Sequence, residues 1–267
     1  MISPIVSSGW LNENLDNPDL ILLDASQPSN TTDDKHEQIR GARVFDIKNN
    51  FSDKSSNFPN TFPSEEQFEN ECQKLGIHGS SIIVVYDSKG IYTSPRVWWM
   101  FKTMGHNNIA VLDGGFPDWK SKGFQTENRV EKKYTEGDFI AKLIPNRVRR
   151  IDFIKENLNK NESVVVDARS SDRFNSLVPE PRVELRRGNI PNSINIPFQD
   201  VLKNRLFKSK EELKAVFSKE DLVNKRLVFS CGSGITACIV LLATDLVFEA
   251  DKSVYDGSWT EWAQLED

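Results

Sequence analysis

The sequence predicts an α/β protein built from two similar halves, each with a mostly parallel sheet flanked by helices. Two observations lead to this prediction. Short apolar segments of strand length alternate along the chain with longer segments of helical periodicity, which is typical of parallel sheets covered by helices. Landmarks of the first half also recur in the second half at a nearly constant offset, which indicates a duplicated domain.

The first half opens with a short helix that Ser7 or Ser8 is expected to cap. A second helix begins after Ser64, which has a glutamine three residues later and therefore has the pattern of a capping residue. Residues 49–63 are rich in Asn, Ser, Pro and Asp and predict a long surface loop. The other predicted elements are strands at 20–24, 44–47, 82–86 and 109–113 and an aromatic-rich helix at 94–104.

The second half repeats these landmarks. Asp167 ends an apolar strand 143 residues after Asp24 ends another, and three further landmarks share this offset to within one residue. Between the two copies, the chain is charged and only weakly periodic. We therefore predict a first domain over residues 1–128, a linker over 129–145 and a second domain over 146–267.

Composition narrows the class of function. The chain has 267 residues, a net charge of -5 and a pI near 5.4, which argue against a nucleic acid or a membrane as partner. The three cysteines form no even disulfide framework and no paired metal-ligand spacing, so we expect a reducing compartment, no metal and no cofactor. The amino-terminal segment resembles no targeting peptide, and no apolar run reaches membrane-spanning length. A cytoplasmic protein is expected.

The most informative segment is a predicted strand, loop and helix start over residues 228–240. Glycines in the loop let successive N–H groups turn toward one point, and the helix N-terminus adds partial positive charge. A thiol in such a place ionises readily, so Cys231, at the end of the strand, is the predicted nucleophile. A buried cysteine in a tight turn is the alternative reading. The predicted anion-binding loop consists of Gly232, Ser233, Gly234, Ile235 and Thr236.

The first half has no counterpart to this thiol. Asp87 occupies the corresponding strand end, and the longer loop that follows it contains no cysteine. Ligands of parallel sheets bind beyond the carboxyl ends of the strands, where both Asp87 and Cys231 are expected. We therefore predict that the first domain is catalytically inactive and that the second domain carries the site.

Several longer motifs accompany the Cys231 loop, at 94–101, 112–116, 167–170, 179–182 and 255–262. With the internal repeat, they resemble the two-domain sulfurtransferases of the rhodanese superfamily, and within these the branch that uses 3-mercaptopyruvate. The likeness covers nearly the whole chain. It implies two tandem rhodanese-like domains and the transfer of sulfane sulfur from 3-mercaptopyruvate to an enzyme persulfide. A thiol such as thioredoxin or glutathione, or cyanide, then accepts the sulfur.

The resemblance also implies roles for individual residues. Its catalytic cysteine falls on Cys231 and its two substrate-binding arginines fall on Arg173 and Arg182. The residue chemistry agrees, because guanidinium groups match the oxygen atoms of a keto acid better than lysines do. Ser233 can donate its hydroxyl to the substrate or to the leaving enolate, and Thr236 is expected to cap the following helix. The neutral loop favours mercaptopyruvate over thiosulfate, because thiosulfate users carry basic residues there.

One loop departs from the family pattern. Family members usually carry an acidic residue and a histidine after the strand predicted at 44–47, where this chain has Lys48 and Asn60. Without that histidine, the proton for the leaving enolate is expected to come from water or from Ser233.

Three other functions remain open at the level of sequence. Thiosulfate could be the preferred donor, or the protein could be a low-turnover sulfur carrier or binding module that kept the loop. A cysteine-dependent phosphatase would need an arginine six residues after the nucleophile, and this chain has Ala237 there. The loop therefore lacks the phosphate clamp of that third class.

Overall fold

The computed structural model describes residues 2–27, 37–130, 132–220, 222 and 224–266. The chain divides into two units, each with its own hydrophobic core. The first unit consists of residues 1–53, 62–143 and 204–206, and the second of residues 54–61, 144–203 and 207–267.

The first unit alternates strands and helices in chain order. Its strands are β1 (Ile5–Val6), β2 (Leu20–Asp24), β3 (Glu37–Ile39), β4 (Arg43–Val44), β5 (Ile82–Tyr86), β6 (Ile109–Leu112) and β7 (Thr126–Asn128). Its helices are α1 (Ser8–Asn14), α2 (Glu65–Lys74), α3 (Ser94–Thr103) and α4 (Gly115–Ser121). Five strands form a parallel sheet in the order β1-β6-β5-β2-β4, and β3 pairs antiparallel with β7.

The later part of the chain continues the same alternation. Its strands are β8 (Val148–Arg149), β9 (Ser163–Asp167), β10 (Ile194–Asn195), β11 (Leu202–Lys203), β12 (Leu206–Phe207), β13 (Arg226–Ser230) and β14 (Lys252–Tyr255). Its helices are α5 (Ile151–Lys160), α6 (Ser171–Phe174), α7 (Lys210–Phe217), α8 (Ala237–Asp245) and α9 (Ser258–Leu265), with short 3₁₀ turns at Pro145–Arg147 and Phe198–Val201. The second unit's parallel sheet has the order β8-β14-β13-β9-β10.

The two five-stranded sheets have the same topology. Strands β1, β6, β5, β2 and β4 correspond in order to β8, β14, β13, β9 and β10. Strand β9 begins and ends 143 residues after β2, and β13 begins and ends 144 residues after β5. The predicted α/β fold class, with its repeated sheet, is confirmed.

Local sequence patterns predicted the positions of most elements correctly. The Ser7 hydroxyl accepts the N–H of Trp10 at the start of α1, and the Ser64 hydroxyl accepts that of Gln67 at the start of α2, as the capping patterns predicted. The strand predicted at 44–47 was placed too far along the chain, since only Arg43–Val44 pairs with the sheet. Residues 45 and 47 are nevertheless buried, so apolar residues of a packed loop imitated a strand.

The segment predicted as a linker, 129–145, packs along the first unit over most of its length. The N–H of Gly137 donates to the Gln73 carbonyl and that of Phe139 to the Ile77 carbonyl. The Phe139 ring is almost fully buried, against Phe68 and Phe101.

The second unit positions the predicted nucleophile between buried elements. Helix α8 is buried along almost its entire length, so it packs against the sheet rather than on a solvated face.

All three cysteines are described, buried and reduced. Of the helices in the described residues, none combines the length and the apolar character that crossing a bilayer requires.

Candidate active site

Cys231 lies at the carboxyl edge of the second sheet, directly after β13. Ser230, the last residue of β13, is paired with Asp167 at the end of β9, and its carbonyl accepts the N–H of Ala168 at 2.8 Å. The loop 232–236 then leads to α8, with Gly234 in the left-handed region at φ +78°. An L side chain would strain this backbone conformation, which accounts for one of the two loop glycines.

Two hydrogen bonds hold the backbone of Cys231, and a third orients the hydroxyl that makes one of them. Its N–H donates to the hydroxyl of Ser258 at 3.2 Å, and that hydroxyl donates to the Tyr255 carbonyl at 2.8 Å. The Cys231 carbonyl accepts the N–H of Trp259 at 3.0 Å. Ser258 has φ +51°, a conformation that non-glycine residues rarely adopt. Strain of this kind persists only where the surrounding structure enforces it. Here the strained backbone places the Ser258 hydroxyl within hydrogen-bond distance of the Cys231 N–H.

Helix α9 also holds the next loop residue. The Gly232 carbonyl accepts both the N–H of Thr260, at 3.0 Å, and its hydroxyl, at 2.6 Å. The same Thr260 oxygen accepts Nη1 of Arg182 at 2.6 Å. Arg182 is therefore attached to the Cys231 loop through the side chain of Thr260.

Arg173, on α6, lies against the loop directly. A Cβ atom added to Gly232 would lie 3.2 Å from Nη2 of Arg173, so a larger residue at 232 would press on the guanidinium. Nε and Nη2 of Arg173 donate to the buried carboxylate of Glu180. Glu180 thus orients one edge of the guanidinium and leaves Nη1 for another acceptor.

A buried ion network fixes this arginine. Glu180 also accepts Nη1 of Arg169 at 2.9 Å, and Arg169 binds Asp167 through Nε and Nη2. The Arg169 guanidinium is buried and lies over the Trp259 ring, 4.5 Å from its centroid. Burial raises the pKa of Asp167, although the hydrogen bonds and positive charge of Arg169 oppose that rise. The network holds Arg173 in place before any ligand binds.

Ser233 has a partner from the loop after β4. Residues 54–61 belong to the second unit, and Nδ2 of Asn60 donates to Oγ of Ser233 at 3.0 Å. The same amide lies 3.4 Å from the Ser233 carbonyl oxygen. Lys48, the other departure from the family pattern, is exposed on the first unit.

The structure brings most of the predicted site residues together and corrects one role. Cys231, Gly232, Ser233, Gly234 and Ile235 are consecutive in the loop, with Arg173 against it and Arg182 attached through Thr260. The prediction that Thr236 caps α8 was wrong. Thr236 occupies the N-cap position, but its backbone is already helical and its side chain makes no capping hydrogen bond.

Several residues of the site had no role assigned from sequence. Glu180 and Arg169 lie within motifs, but their partnership with Arg173 depends on how α6 packs on the sheet. Thr260 and Ser258 reach the loop only through the docking of α9. A charged residue between two prolines, as at Glu180, was the one local signal that could have indicated a fixed buried carboxylate.

This arrangement suits nucleophilic chemistry on a small anion. The Cys231 thiol precedes the loop that leads to the N-terminus of α8, Arg173 lies beside Gly232 of that loop, and Arg182 bonds Thr260, which holds the Gly232 carbonyl. In the part of the chain that the structure describes, no group of three or more His, Cys, Asp or Glu side chains could hold a metal ion.

Comparisons with known proteins agree with the repeated fold. The rhodanese-like domain family matches residues 7–122 and 151–265. Mouse 3-mercaptopyruvate sulfurtransferase is 40% identical, covering 97% of this chain and 91% of its own. An Arabidopsis thaliana mitochondrial protein, thiosulfate/3-mercaptopyruvate sulfurtransferase 1, is 38% identical, covering 99% of this chain and 77% of its own.

A solved structure gives the same result. SseA from Escherichia coli, described in terms of the rhodanese fold and the catalytic mechanism of 3-mercaptopyruvate sulfotransferases, superposes with a TM-score of 0.85 at 32% identity. The match covers 97% of this chain and 99% of SseA. The resemblance drawn from the sequence motifs is confirmed.

Proposed function

Because this chain belongs to the rhodanese family, we propose that it is a 3-mercaptopyruvate sulfurtransferase that works through a persulfide on Cys231. The carrying observation is the position of Arg173, whose guanidinium lies against Gly232 next to the nucleophile. A keto acid bound by Arg173 and Arg182 would present its thiol sulfur to the Cys231 loop. The donor named for the mouse relative is the same compound.

The reaction has two steps. The Cys231 thiolate attacks the sulfur of 3-mercaptopyruvate, so that an S–S bond forms and the C–S bond breaks. The electron pair of the C–S bond leaves with carbon as pyruvate enolate, which then takes a proton from water or through the Ser233 hydroxyl and becomes pyruvate. The substrate's thiol proton stays with the outer sulfur of the persulfide or passes to solvent.

The arginines lower the barrier because negative charge develops on the enolate oxygen as the C–S bond breaks. Preorganised donors aimed at such developing charge need no reorganisation during the step. Arg173 is preorganised by Glu180, and Arg182 by Thr260. In the second step a thiol such as thioredoxin or glutathione, or cyanide, removes the outer sulfur and restores the Cys231 thiolate.

Thiosulfate is the second candidate donor. The Arabidopsis relative is named for both compounds, and the site's arginines could hold either anion. The neutral Gly232–Gly234 segment supports mercaptopyruvate, because it adds no positive side chain for a dianion. A carrier that forms the persulfide without turnover is the remaining alternative. For the compartment, the three reduced cysteines support our proposal of a cytoplasmic protein, which fractionation of the source cells can test.

Intact-mass measurement tests the function. Protein incubated with 3-mercaptopyruvate should gain one sulfur atom and release one equivalent of pyruvate, and added dithiothreitol should make pyruvate release continuous. Cys231→Ser should abolish both signals, whereas Cys72→Ala, in the first unit, should keep them. Added sulfur that persists in Cys231→Ser would contradict the proposal. A parallel series with thiosulfate decides the donor, and a single turnover without continued release would indicate the carrier.

A further inference from the structure

The turn that carries Asn60 is closed by a ring of hydrogen bonds. The N–H of Phe58 donates to Oγ of Ser56 at 3.1 Å, and Oγ of Ser56 lies 2.7 Å from Oγ1 of Thr61. That hydroxyl in turn donates to the Phe58 carbonyl at 2.9 Å. Asn60 occupies the corner of the turn with φ +60°, a left-handed conformation that asparagine tolerates better than most residues. The turn therefore holds the Asn60 side chain in one direction.

The contact with Ser233 has a defined polarity. An amide nitrogen only donates, so in the 3.0 Å contact Nδ2 of Asn60 donates and Oγ of Ser233 accepts. A serine hydroxyl has one hydrogen and two lone pairs. With a lone pair occupied by Asn60, the single hydrogen of Ser233 is directed to another acceptor.

That acceptor position lies within the site. Ser233 is two residues after Cys231, and Nη2 of Arg173 lies beside the intervening Gly232, 3.2 Å from where a Cβ atom would be. The hydrogen of Ser233 can therefore meet an oxygen atom of a keto acid held by Arg173. A donor at this position becomes more favourable as charge develops on the enolate oxygen.

We propose that Asn60 is a positioning residue for the sulfur-transfer reaction: by donating to Ser233, it makes the serine hydroxyl a hydrogen-bond donor to the enolate oxygen. This inference rests on the proposed function and adds to it a role for a turn that is distant in sequence. The charged groups that face the same loop are Arg173 with Glu180, and Arg182 through Thr260. Asn60 itself is neutral at every working pH.

Three substitutions of Asn60 separate polarity from simple packing. Asn60→Asp replaces the donor by an acceptor, so the Ser233 hydrogen turns toward the carboxylate and kcat should fall by about 10²-fold, with KM changing less. Asn60→Ala removes the amide donor, adds some strain at the left-handed corner of the turn, and should lower kcat by about tenfold. Asn60→His introduces a group that titrates near pH 6.5, so the ratio of its kcat/KM to that of the unmodified protein should vary with pH around that value.

Two controls keep the test specific. Asn57→Asp makes the same charge change at an exposed position of the same loop and should alter kcat by less than about twofold. In a Ser233→Ala background, Asn60→Ala should cause no further loss, because the hydroxyl that it orients is absent. Equal losses in both backgrounds would overturn the inference. So would an Asn60→Asp variant that behaves like Asn57→Asp, or an Asn60→His variant whose ratio is flat with pH.

The persulfide measurement distinguishes this failure from failure of the proposed function. If the unmodified protein gains no sulfur from 3-mercaptopyruvate, the proposed function is wrong and the inference falls with it. If the unmodified protein and all Asn60 variants gain sulfur on Cys231, but the Asn60 variants turn over like the unmodified protein, only the positioning role is wrong.

Discussion

The same strand end carries an aspartate in the first unit and a cysteine in the second. Asp87 follows β5 as Cys231 follows β13, and in both units a loop and a helix come next. In the first unit the loop's donors point at the aspartate itself. Its carboxylate accepts the N–H groups of Lys89, Tyr92, Thr93 and Ser94 and the hydroxyl of Ser94, at 2.7–3.0 Å.

The difference shows how one fold serves two purposes. A loop at a helix N-terminus beyond a parallel strand attracts negative charge in either unit. In the first unit the Asp87 carboxylate supplies that charge and accepts the loop's hydrogen bonds, so the loop has a structural role. In the second unit the residue is a thiol, and its loop lies beside Arg173 and is attached to Arg182. Under the proposed function, the negative charge here comes from the bound substrate.

The first residue of the helix that packs against each loop also differs, because the two loops leave different amounts of space beside it. Gly115 and Ser258 begin α4 and α9 with similar positive φ angles, +54° and +51°. A Cβ atom on Gly115 would lie 2.4 Å from the Gly90 carbonyl oxygen, so the longer loop of the first unit requires glycine. The shorter loop of the second unit leaves room for the Ser258 side chain, whose hydroxyl accepts the N–H of Cys231.

The largest change in kinetic constants is expected for Arg173, which lies beside the Cys231 loop of the second unit. Arg173→Lys should lower kcat/KM for 3-mercaptopyruvate by about 10²-fold, both by raising KM, because the substrate carboxylate loses a partner, and by lowering kcat, because the developing enolate charge loses one. Lysine has one nitrogen, which cannot bind Glu180 and also present a second edge to the substrate carboxylate. Steady-state kinetics of pyruvate release measure the change.

Arg187→Lys is the matched control for this prediction. Arg187 is exposed, and its contact is a 3.4 Å approach to the Ser176 carbonyl. Kinetic constants of Arg187→Lys should stay close to those of the unmodified protein. Equal losses in the two variants would mean that general positive charge, rather than the fixed guanidinium, distinguishes the second loop from the first.

The sequence predicted the elements that build these loops better than the contacts made between them. Strands β2 and β5 coincide with the predicted ranges because parallel strands buried on both faces read as continuous apolar runs. The position of the Cys231 loop could be predicted because a strand end, small residues and a helix start are adjacent in sequence. The polarity of the Asn60 contact with Ser233 could not, because it joins residues 173 positions apart.

Local signals also failed where they were ambiguous. A threonine before an apolar helical segment has the pattern of a cap, but the backbone of Thr236 is already helical and its side chain makes no capping hydrogen bond. Glu180 gave no indication of its partners, since two arginines reach it from different positions in the packed unit. The residues that lie together around the Cys231 loop could therefore be predicted as a list, whereas the ion network that joins them could not.

A smaller effect, on stability, is expected in the first loop. Asp87→Asn keeps the shape of the side chain but removes the charge that its donors share, and a hydrogen bond to a charged group contributes about 1.5–3 kcal/mol. Unfolding of the first unit should become easier by about 2 kcal/mol. Urea denaturation followed by tryptophan fluorescence measures this loss.

Turnover provides the contrast for Asp87→Asn. The variant should keep the kcat and KM of the unmodified protein under conditions where it is folded, because Asp87 belongs to the first unit's own loop. A clear loss of kcat with unchanged stability would show that the first loop takes part in catalysis. The comparison between a structural and a catalytic loop would then be wrong.

The smallest effect concerns a pair of carboxyl groups at equivalent positions, Asp118 on α4 and Glu261 on α9. Burial alone would raise the pKa of Asp118, but hydrogen bonds from Lys122 and Ser8 outweigh it and lower the pKa below 3.8. Burial raises the pKa of Glu261 above 4.5, and the Tyr255 hydroxyl and Arg150 only partly oppose it. The two units therefore hold corresponding acids with opposite preferences for the proton.

These directions fix the sign of the pH dependence. Folded protein binds the Glu261 proton more tightly than unfolded protein, so this group favours folding most below pH 4.5, and the benefit is lost as pH rises through the folded pKa. Glu261→Gln should therefore be more stable than the unmodified protein at pH 8, and the gain should disappear near pH 4. Asp118→Asn should do the opposite, because ionised Asp118 stabilises the fold above pH 3.8. Urea titrations at both pH values measure the two differences. Two shifts of the same sign would show that these acids share one environment, despite the different loops against which their helices begin.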